Sequence, residues 1–401
     1  MRIAFPYYTY WPYARRGVER CIHDLAGFLA RKGHDVHVIT STPGRGRTTK
    51  EDGVRITYLP QLAHPLLWHY TPLLSMHVFG LQAAKLLQAE RPDVMHTFHC
   101  AYLLAAPLLR TMTGTPYLLH FVLNADWTDH KALKRQARSA AVLAGVSRAI
   151  VDSVETQFAR PSAFLPPPVD MNFFRPNRGK KRSDPIVFFP GDLADARKGG
   201  GLLLRAWNRV HRECPRAVLV LGGPIGPVGW LPFEFGYESV VNLDLVEDAG
   251  ARAAIELRGP GDLDDLPAWY SEAAVTVLPS LDEAFGMVLT ESLACGTPVI
   301  AGASGGPSEI VTHPDVGATI PIMHSSDLES PAMADRLAEA ILNAIDLSSR
   351  TQTSQRCREW ASQWSLERVG MEEERLLEAA SSGSVSRAQV AEQDPAFERS
   401  R

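Results

Sequence analysis

Two glutamates, Glu283 and Glu291, are separated by seven residues around the predicted start of a short helix. Glu283 precedes that helix, and Glu291 lies a little over two turns along it. In parallel α/β sheets, ligands bind outside the carboxyl ends of the strands, where helix N-termini point. The amides of Phe285, Gly286 and Met287 would receive an anion or sugar oxygens, and the two carboxylates would bind different hydroxyls of one extended ligand. On composition alone, the alternative is that Glu283 favours the helix dipole and Glu291 is a solvated helix residue.

The segments around these glutamates belong to two series in which short apolar strands alternate with amphipathic helices. Strand, helix and strand in this order predict right-handed crossovers and a parallel sheet. The first series has predicted strands at 2–8, 35–40, 94–98, 116–121 and 141–146. The second series has predicted strands at 186–189, 217–221, 275–278 and 297–301. We therefore predict an α/β chain with two doubly wound domains.

Prolines, polar residues and a basic run between the two series predict an interdomain linker. The predicted organisation is an N-terminal Rossmann-like domain over 1–170, a linker over 171–184, and a C-terminal Rossmann-like domain over 185–355. An amphipathic helix over 356–380 is expected to pack back across the domains. The segment 381–401 is rich in Ser, Gln and charged residues without periodicity, so we predict a disordered tail.

The composition excludes several classes of protein. Of 401 residues, 45% are hydrophobic and 21% are charged, which is typical of a globular protein and not of a disordered chain or a fibrous repeat. The five cysteines form no CxxC pair, so neither a zinc site nor a disulfide framework is indicated, and the cytoplasm is the expected compartment. We expect no signal peptide and no membrane-spanning segment.

The net charge of −4 is unevenly distributed along the chain. Residues 1–175 carry 20 Lys and Arg against 12 Asp and Glu, a balance of +8, and residues 176–401 carry 21 against 33, a balance of −12. The basic half could meet an anionic partner, such as a phosphorylated acceptor or a membrane surface. The alternative is two domains with different solvated surfaces. The aromatic segment 62–79 could line an acceptor pocket, touch a membrane or form a helix pair under the sheet.

The region around the two glutamates resembles the signature of retaining glycosyltransferase family 4, P-S-x-x-E-x-F-G-x-x-x-x-E followed by A-C-G-x-P-V-[IV]-A and G-G-x-x-E-I-V. The matching residues are Pro279, Ser280, Glu283, Phe285, Gly286, Glu291, Ala294–Ala301, Gly305, Gly306, Glu309, Ile310 and Val311. The resemblance covers about residues 1–376, because family motifs are also matched at 17–19, 31–40, 92–96, 169–174 and 198–199. It implies a GT-B fold, in which two facing Rossmann-like domains enclose the active site in an interdomain cleft. The domain over 1–170 would then bind the acceptor, and the domain over 185–355 would bind the nucleotide sugar.

The resemblance also implies which residues bind the donor. They are Gly17, Arg197, Lys198, Glu283, Ala284, Phe285, Gly286, Met287 and Glu291. Glu283 would bind hydroxyls of the donor sugar, and Glu291 would bind the ribose hydroxyls of the nucleotide. Lys198 would neutralise the diphosphate as the leaving group departs.

Three residues are implied in catalysis, and the sequence departs from the family near one of them. The implied catalytic residues are His120, Lys198 and Glu283. The family's first-domain histidine would stand at Val122, and His120 lies two positions earlier on the same face of the strand. A buried structural histidine is the alternative for His120. Asp192 and Arg16 also stand where the family often has Arg and Gly, so whether these departures impair activity is an open question.

The function implied by the resemblance is that of a retaining, metal-independent hexosyltransferase. It would move a sugar from a UDP- or GDP-sugar, as is usual in the family, to a hydroxyl of a small-molecule, lipid or glycan acceptor. No cofactor and no nucleic-acid partner are expected, and peripheral membrane contact stays open. The segment 262–265 contains a D-x-D string, which we interpret as a helix cap and not as a metal–diphosphate motif. The alternatives are a catalytically inactive sugar-nucleotide-binding homologue, and a sugar-nucleotide epimerase or phosphorylase on the same fold.

Overall fold

A computed structural model of the chain divides it into two compact units. It describes residues 1–14, 16–61, 72–99, 110–123, 131–177, 183–193, 195–223, 242–259 and 261–383. Unit 1 contains Met1–Pro168 and the chain from Leu366 onward, and unit 2 contains Val169–Ser365. Each unit has its own sheet and its own hydrophobic core.

Unit 1 is built on an eight-stranded sheet in the order β3-β4-β2-β1-β5-β6-β7-β8. Its strands are β1 Arg2–Pro6, β2 Asp35–Thr42, β3 Arg47–Glu51, β4 Val54–Pro60, β5 Val94–Phe98, β6 Tyr117–Phe121, β7 Val142–Gly145 and β8 Ala163–Phe164. The helices before residue 169 are α1 Gly17–Arg31, α2 Pro72–Glu90, α3 Lys131–Ser139 and α4 Arg148–Phe158. All neighbouring strands are parallel except β3 and β4, which form an antiparallel hairpin at one edge.

Unit 2 is built on a six-stranded, wholly parallel sheet in the order β11-β10-β9-β12-β13-β14. Its strands are β9 Ile186–Phe189, β10 Val218–Leu221, β11 Ile255–Leu257, β12 Val275–Leu278, β13 Val299–Gly302 and β14 Gly317–Ile320. Its helices are α5 Gly200–Glu213, α6 Ala249–Ala253, α7 Leu266–Glu272, α8 Met287–Ala294, α9 Gly306–Ile310, α10 Pro331–Ser349 and α11 Thr353–Ala361. The prediction of two parallel-sheet α/β domains is confirmed.

The central strands are buried at every position, which explains their sequences. β5, β6, β9, β12 and β13 contain no exposed residue. Helices cover both faces of a parallel sheet, so such strands are continuous apolar runs without polar alternation. Runs of this kind are short and bounded by loops, which is why the sequence pattern located them.

The predicted linker over 171–184 is held within unit 2 over its described part. Asp170 accepts hydrogen bonds from the amides of Asn172 and Phe173, at 2.8 and 3.2 Å, and so closes a turn. The Arg358 guanidinium then donates to the carbonyl oxygens of Met171 and Phe174, at 2.6 and 3.0 Å. These bonds anchor the segment on α11, so unit 2 begins before the predicted boundary at residue 185. The basic run at 178–182 lies outside the described residues.

The single helix predicted over 356–380 is two helices. After α11, a 3₁₀ turn at Ser362–Trp364 and an extended Ser365 interrupt the chain before α12, Leu366–Ser382. A hydrogen bond stabilises this break between the two helices, because the Val169 amide donates to the Trp364 carbonyl oxygen at 2.8 Å. α11 therefore belongs to unit 2 and α12 to unit 1. Helix α12 extends into the predicted tail as far as Ser382, and residues 384–401 lie outside the described part of the chain.

Helix α12 completes the core of unit 1 by packing on α1. Its apolar face is buried together with the α1 residues Ile22, Leu25 and Leu29. The two helices come close together at Gly370, where a Cβ atom would lie 2.4 Å from the ring of Phe28. The absence of a side chain at Gly370 thus allows the two helices to come into contact.

We expect Gly370→Ala to destabilise the protein by about 1–3 kcal/mol, because the added methyl group must push Phe28 and α1 away from α12. Gly201→Ala is the matched control, since a Cβ there would meet only a Leu245 methyl at 3.7 Å, and alanine favours a helix. Urea unfolding of both variants provides the measurement. Equal stabilities would contradict the close packing of α12 on α1.

Candidate active site

The candidate site of unit 2 is formed by two loops at the carboxyl edge of its sheet. β12 ends at Leu278, and the following loop runs to Gly286, after which α8 begins. Gly286 has φ 96° and ψ 56°, the left-handed region that favours glycine. The second loop follows β9 and contains a short 3₁₀ turn, Ala196–Lys198. Because β9 and β12 are neighbouring parallel strands, both loops leave the sheet at the same edge.

The two loops are in backbone contact. The Leu281 amide donates to the carbonyl oxygen of Arg197 at 2.8 Å. A Cβ atom at Gly199 would lie 2.2 Å from the carbonyl oxygen of Pro279, and Gly199 also has a positive φ of 76°. Any other residue at 199 would therefore separate the loops as well as strain the backbone.

The contact between the loops brings the predicted pair Lys198 and Glu283 together. The Lys198 ammonium donates to Oε2 of Glu283 at 2.6 Å. The two side chains are 27% and 17% exposed, so the pair is partly shielded from water and still accessible. A cation and a carboxylate in contact beside a helix N-terminus can bind both the anionic and the hydroxyl-bearing parts of one ligand.

The other predicted cation, Arg197, points elsewhere. Its guanidinium binds Asp195, with Nε–Oδ1 and Nη2–Oδ2 distances of 3.0 and 2.7 Å, and its side chain is 64% exposed. Asp195 also accepts from the Arg197 amide and so caps the 3₁₀ turn. The structure thus places Lys198 on Glu283 and directs the Arg197 guanidinium onto Asp195. Asp192 lies in the same loop, after β9.

The residues between the two glutamates differ in what they offer a ligand. Phe285 is 3% exposed, and its ring packs edge-on against Trp364 with the centroids 6.3 Å apart. Its side chain therefore belongs to the core, and only its backbone can contribute to the site. Ala284 and Met287 are half-buried.

Glu291 lies inside unit 2, on the buried face of α8. It is 1% exposed, and its Oε2 accepts a hydrogen bond from the Tyr270 hydroxyl at 2.9 Å. Burial, followed by the charge of Glu291, raises the pKa of Cys295 to about 12. Tyr270, which the sequence analysis did not single out, therefore fixes the orientation of the second predicted carboxylate. Its position in the middle of a short predicted helix, next to Trp269, gave no signal of that role.

The predicted donor-binding glycine of unit 1, Gly17, is the first residue of α1. The same helix turn contains Glu19, which is 3% exposed and accepts a hydrogen bond from the Thr9 hydroxyl at 2.5 Å. Burial raises the pKa of Glu19. Glu19 thus secures the loop between β1 and α1 to the first turn of the helix.

His120, predicted to be catalytic, lies at the centre of unit 1 and has no exposed surface. Its Nε2 is 2.8 Å from the carbonyl oxygen of Leu165, and its Nδ1 is 3.2 Å from Nε2 of His96. Nδ1 of His96 is in turn 2.6 Å from Oε1 of Glu373 on α12. Both ring nitrogens of His120 are engaged inside the core, which favours the structural alternative, and a catalytic role of His120 stays a prediction.

The Leu165 carbonyl oxygen at the end of this buried hydrogen-bonded chain determines which atoms along the chain carry a proton. A carbonyl oxygen only accepts, so Nε2 of His120 carries a proton and, in a neutral ring, Nδ1 accepts from His96. The same argument makes Nδ1 of His96 an acceptor, so Glu373 donates to it as a carboxylic acid. Burial lowers the pKa of His96 to about 3, lowers that of His120 and raises that of Glu373. All three titratable side chains are then neutral, as a dry environment requires.

His99 is the imidazole that lies at the carboxyl edge of the sheet in unit 1. It directly follows β5, and its Nδ1 accepts from the Val122 amide at 3.3 Å. The ring stacks on Phe121 with the centroids 5.3 Å apart. The sequence analysis missed His99, although its position immediately after a predicted strand was a usable signal.

Two family models match consecutive parts of the chain. The model for a glycosyl transferase 4-like domain matches residues 16–167, and that for glycosyl transferases group 1 matches residues 170–364. The chain is a glycosyltransferase of the GT-B fold. The second match covers the loops that hold Lys198 and Glu283 and the helix α8 that holds Glu291, and the first covers Gly17, His99 and His120.

Relatives and solved structures agree with this assignment. The D-inositol 3-phosphate glycosyltransferase of Acidothermus cellulolyticus is 27% identical to the enzyme over 374 residues, which cover 84% of this chain and 79% of the relative. The sucrose-phosphate synthase of Thermosynechococcus elongatus superposes with a TM-score of 0.73 at 20% identity, covering 94% of this chain and 98% of the other. Anabaena HepE in complex with UDP-glucose gives a TM-score of 0.70 at 16% identity, covering 94% and 100%.

Two further observations concern metals and membranes. Among the described residues, no group of three or more His, Cys, Asp or Glu side chains could hold a metal ion. In the D-x-D segment, Asp265 accepts a hydrogen bond from the Asp262 amide at 3.1 Å, as a helix cap does. No helix in the described part of the chain has the length and apolarity needed to cross a bilayer.

The buried chain predicts a pH-dependent difference between the wild type and Glu373→Gln, whose amide can still donate to His96. The pKa of Glu373 is higher in the folded protein than in the unfolded chain. Its contribution to the free energy of unfolding is therefore fully present below the unfolded pKa of about 4.3. This contribution is lost as pH rises, by up to about 1.4 kcal/mol per pH unit. His96 and His120 have the opposite effect, because their lowered pKa values make the protein less stable as pH falls below about 6.5. This effect is the same in the wild type and in Glu373→Gln, so it cancels in the comparison. The melting temperature of Glu373→Gln should therefore rise relative to wild type between about pH 5 and pH 8.

Glu373→Leu is the control for this measurement. It leaves Nδ1 of His96 buried without a donor and should destabilise the enzyme at every pH by about 1–3 kcal/mol. A difference between wild type and Glu373→Gln that does not change with pH would show that Glu373 is ionised in the folded state.

Proposed function

We propose that this nucleotide-sugar-dependent glycosyltransferase is a metal-independent hexosyltransferase that retains the anomeric configuration of the donor. The observation that carries the proposal is the contact of Lys198 with Glu283 beside the N-terminus of α8. It places a positive charge next to a hydroxyl-binding carboxylate, the arrangement that a sugar diphosphate needs.

In this proposal, the donor replaces the ion pair by two more specific sets of contacts. The Lys198 ammonium turns to the diphosphate and stabilises the negative charge that develops as the glycosidic bond breaks. The Glu283 carboxylate accepts hydrogen bonds from the sugar hydroxyls. The amides at the start of α8, together with the helix dipole, add positive potential at the same point. These groups supply the charge that a divalent cation supplies in other transferases, which supports metal independence.

The proposed nucleotide site extends to Glu291. Its Oε2 is held by Tyr270, so the carboxylate has one defined orientation for the ribose hydroxyls. A buried carboxylate of this kind discriminates strongly against a ligand that lacks the matching hydroxyl, because the carboxylate is then left without its partner.

The acceptor is proposed to be a hydroxyl of a small molecule, lipid or glycan. Retention is proposed to proceed by a same-face displacement in which the departing phosphate receives the acceptor proton. The bond from the donor sugar C1 to the leaving phosphate oxygen breaks as the bond from the same C1 to the acceptor oxygen forms, and no protein nucleophile is needed. Among the relatives, a protein named for D-inositol 3-phosphate makes inositol phosphates the first acceptors to test.

Lys198→Ala should weaken donor binding by about 10–100-fold, because a charged contact with phosphate contributes about 1.5–3 kcal/mol. Thermal unfolding with UDP-, GDP-, ADP- and dTDP-sugars in EDTA provides the measurement, since a ligand at about 100 times its Kd stabilises the fold by about 2.7 kcal/mol. Arg216→Ala is the control. Arg216 lies two residues before β10, at the amino edge of the sheet and away from the carboxyl edge that holds Lys198, and its guanidinium pairs with Asp184. Arg197→Ala decides whether the second predicted cation contributes. A wild type that shifts only with added Mg²⁺ would refute metal independence.

The stereochemical proposal needs the donor found in that screen. We expect the product formed with an accepted alcohol to have the anomeric configuration of the donor, measured from the H1–H2 coupling in proton NMR. An inverted product would contradict retention. Donor binding without transfer to any acceptor would favour the catalytically inactive alternative, and release of an epimerised sugar nucleotide would favour the epimerase.

A further inference from the structure

Helix α3 of unit 1 presents a row of cations on one face. Lys131, Lys134, Arg135 and Arg138 occupy positions i, i+3, i+4 and i+7, which lie on the same side of a helix. The opposite side is fixed in the core, because Leu133, Gln136 and Ala137 are at most 1% exposed. The burial of one face leaves the cations on the outward face.

Among the residues that the structure describes, the four cations have no neutralising partner. Within the described parts of the chain, none of these side chains forms a salt bridge or a hydrogen bond with another residue, and α3 contains no acidic residue. Together with Ser139 they line a shallow concave surface of about 500 Å³. Four like charges at this spacing repel one another, so an anionic partner would relieve a repulsion that the fold leaves in place.

Further positive charge surrounds the C-terminal end of α3. The Arg160 guanidinium donates to the carbonyl oxygens of Ala137 and Ala140, and Arg110 donates to that of Ser139. These bonds satisfy the last carbonyl groups of the helix, so its end is rigid as well as basic. Glu155 on α4 is engaged by the Ser162 amide, which donates to its Oε1 at 2.9 Å.

The same part of unit 1 exposes large apolar side chains. Met112, two residues after Arg110, is 44% exposed, and Leu123, in the segment between β6 and α3, is 57% exposed. Cations accompanied by exposed apolar side chains are typical of a surface that meets lipid headgroups and the acyl boundary beneath them. A polyanion such as nucleic acid would use the cations and leave the apolar side chains in water.

We propose that the outward face of α3 binds an anionic phospholipid surface. The four lysine and arginine side chains contact headgroup phosphates, and Met112 and Leu123 flank them at the acyl boundary. The surface belongs to unit 1 and is separate from the Lys198–Glu283 site, so this proposal does not depend on the proposed function.

The test is flotation of the full-length enzyme with vesicles of phosphatidylcholine, with and without about 30 mol% phosphatidylglycerol. We expect binding to the anionic vesicles only, and its loss between about 50 and 500 mM NaCl. Arg135→Gln/Arg138→Gln should weaken binding about 30-fold, since each cation contributes roughly fivefold. Arg205→Gln/Arg212→Gln is the matched control, because both residues are exposed and lie seven positions apart on α5 of unit 2.

Three outcomes would overturn the proposal. They are equal binding to neutral vesicles, equal loss in the two double variants, and displacement from anionic vesicles by inorganic phosphate at matched ionic strength, which would indicate a soluble phosphate ligand. Tighter binding to duplex DNA than to vesicles of equal phosphate concentration, sensitive to the same variant, would also overturn it. Unchanged melting temperatures of both double variants ensure that any loss reflects the surface and not the fold.

Discussion

The parallel pairing of β9 with β12, through Val187 with Val275 and Phe188 with Thr276, determines where the chemistry of unit 2 can occur. Two residues separated by 85 positions in sequence, Lys198 and Glu283, approach to 2.6 Å because their loops leave adjacent strands at the same edge. Any slip of this pairing would move the loops apart. The precision of the site therefore rests on main-chain hydrogen bonds that lie in the core, out of reach of the ligand.

Unit 1 depends on a different kind of constraint, a polar chain in its dry core. Glu373, His96 and His120 are fully buried, and a neutral arrangement, hydrogen-bonded from Glu373 through both rings to Leu165, makes that burial tolerable. Because Glu373 is on α12 and Leu165 precedes the passage into unit 2, the chain ties two distant segments to the same sheet. An apolar core could hold α12 as strongly, but it would not specify one position of the helix so sharply.

The features that the sequence made predictable are those set by short-range pattern. β5, β9 and β12 begin and end at the predicted residues, because strands buried on both faces are continuous apolar runs. The hairpin of β3 and β4 was not predicted, since Arg47–Glu51 is polar and its pairing is carried by backbone groups. The amphipathic pattern over 356–380 is continuous and predicts one helix. The break in that helix depends on a hydrogen bond from Val169, which lies far away in sequence, so the local pattern could not show it. The hydrogen-bond partners of His120 were not predictable for the same reason, because Glu373, which ends its hydrogen-bonded chain, lies 277 residues beyond His96.

Unit 1 is formed by two separate segments of the chain, and unit 2 is formed by the one segment between them. The core of unit 1 contains Leu366, Val369 and Leu376, so it cannot be completed until the end of α12 has been synthesised. Unit 2 is encoded by one uninterrupted stretch and is free to fold on the ribosome as soon as Ser365 has emerged. Synthesis therefore leaves the earlier half of the chain waiting for its last helix, and until then the apolar face of α1 is a surface for chaperones.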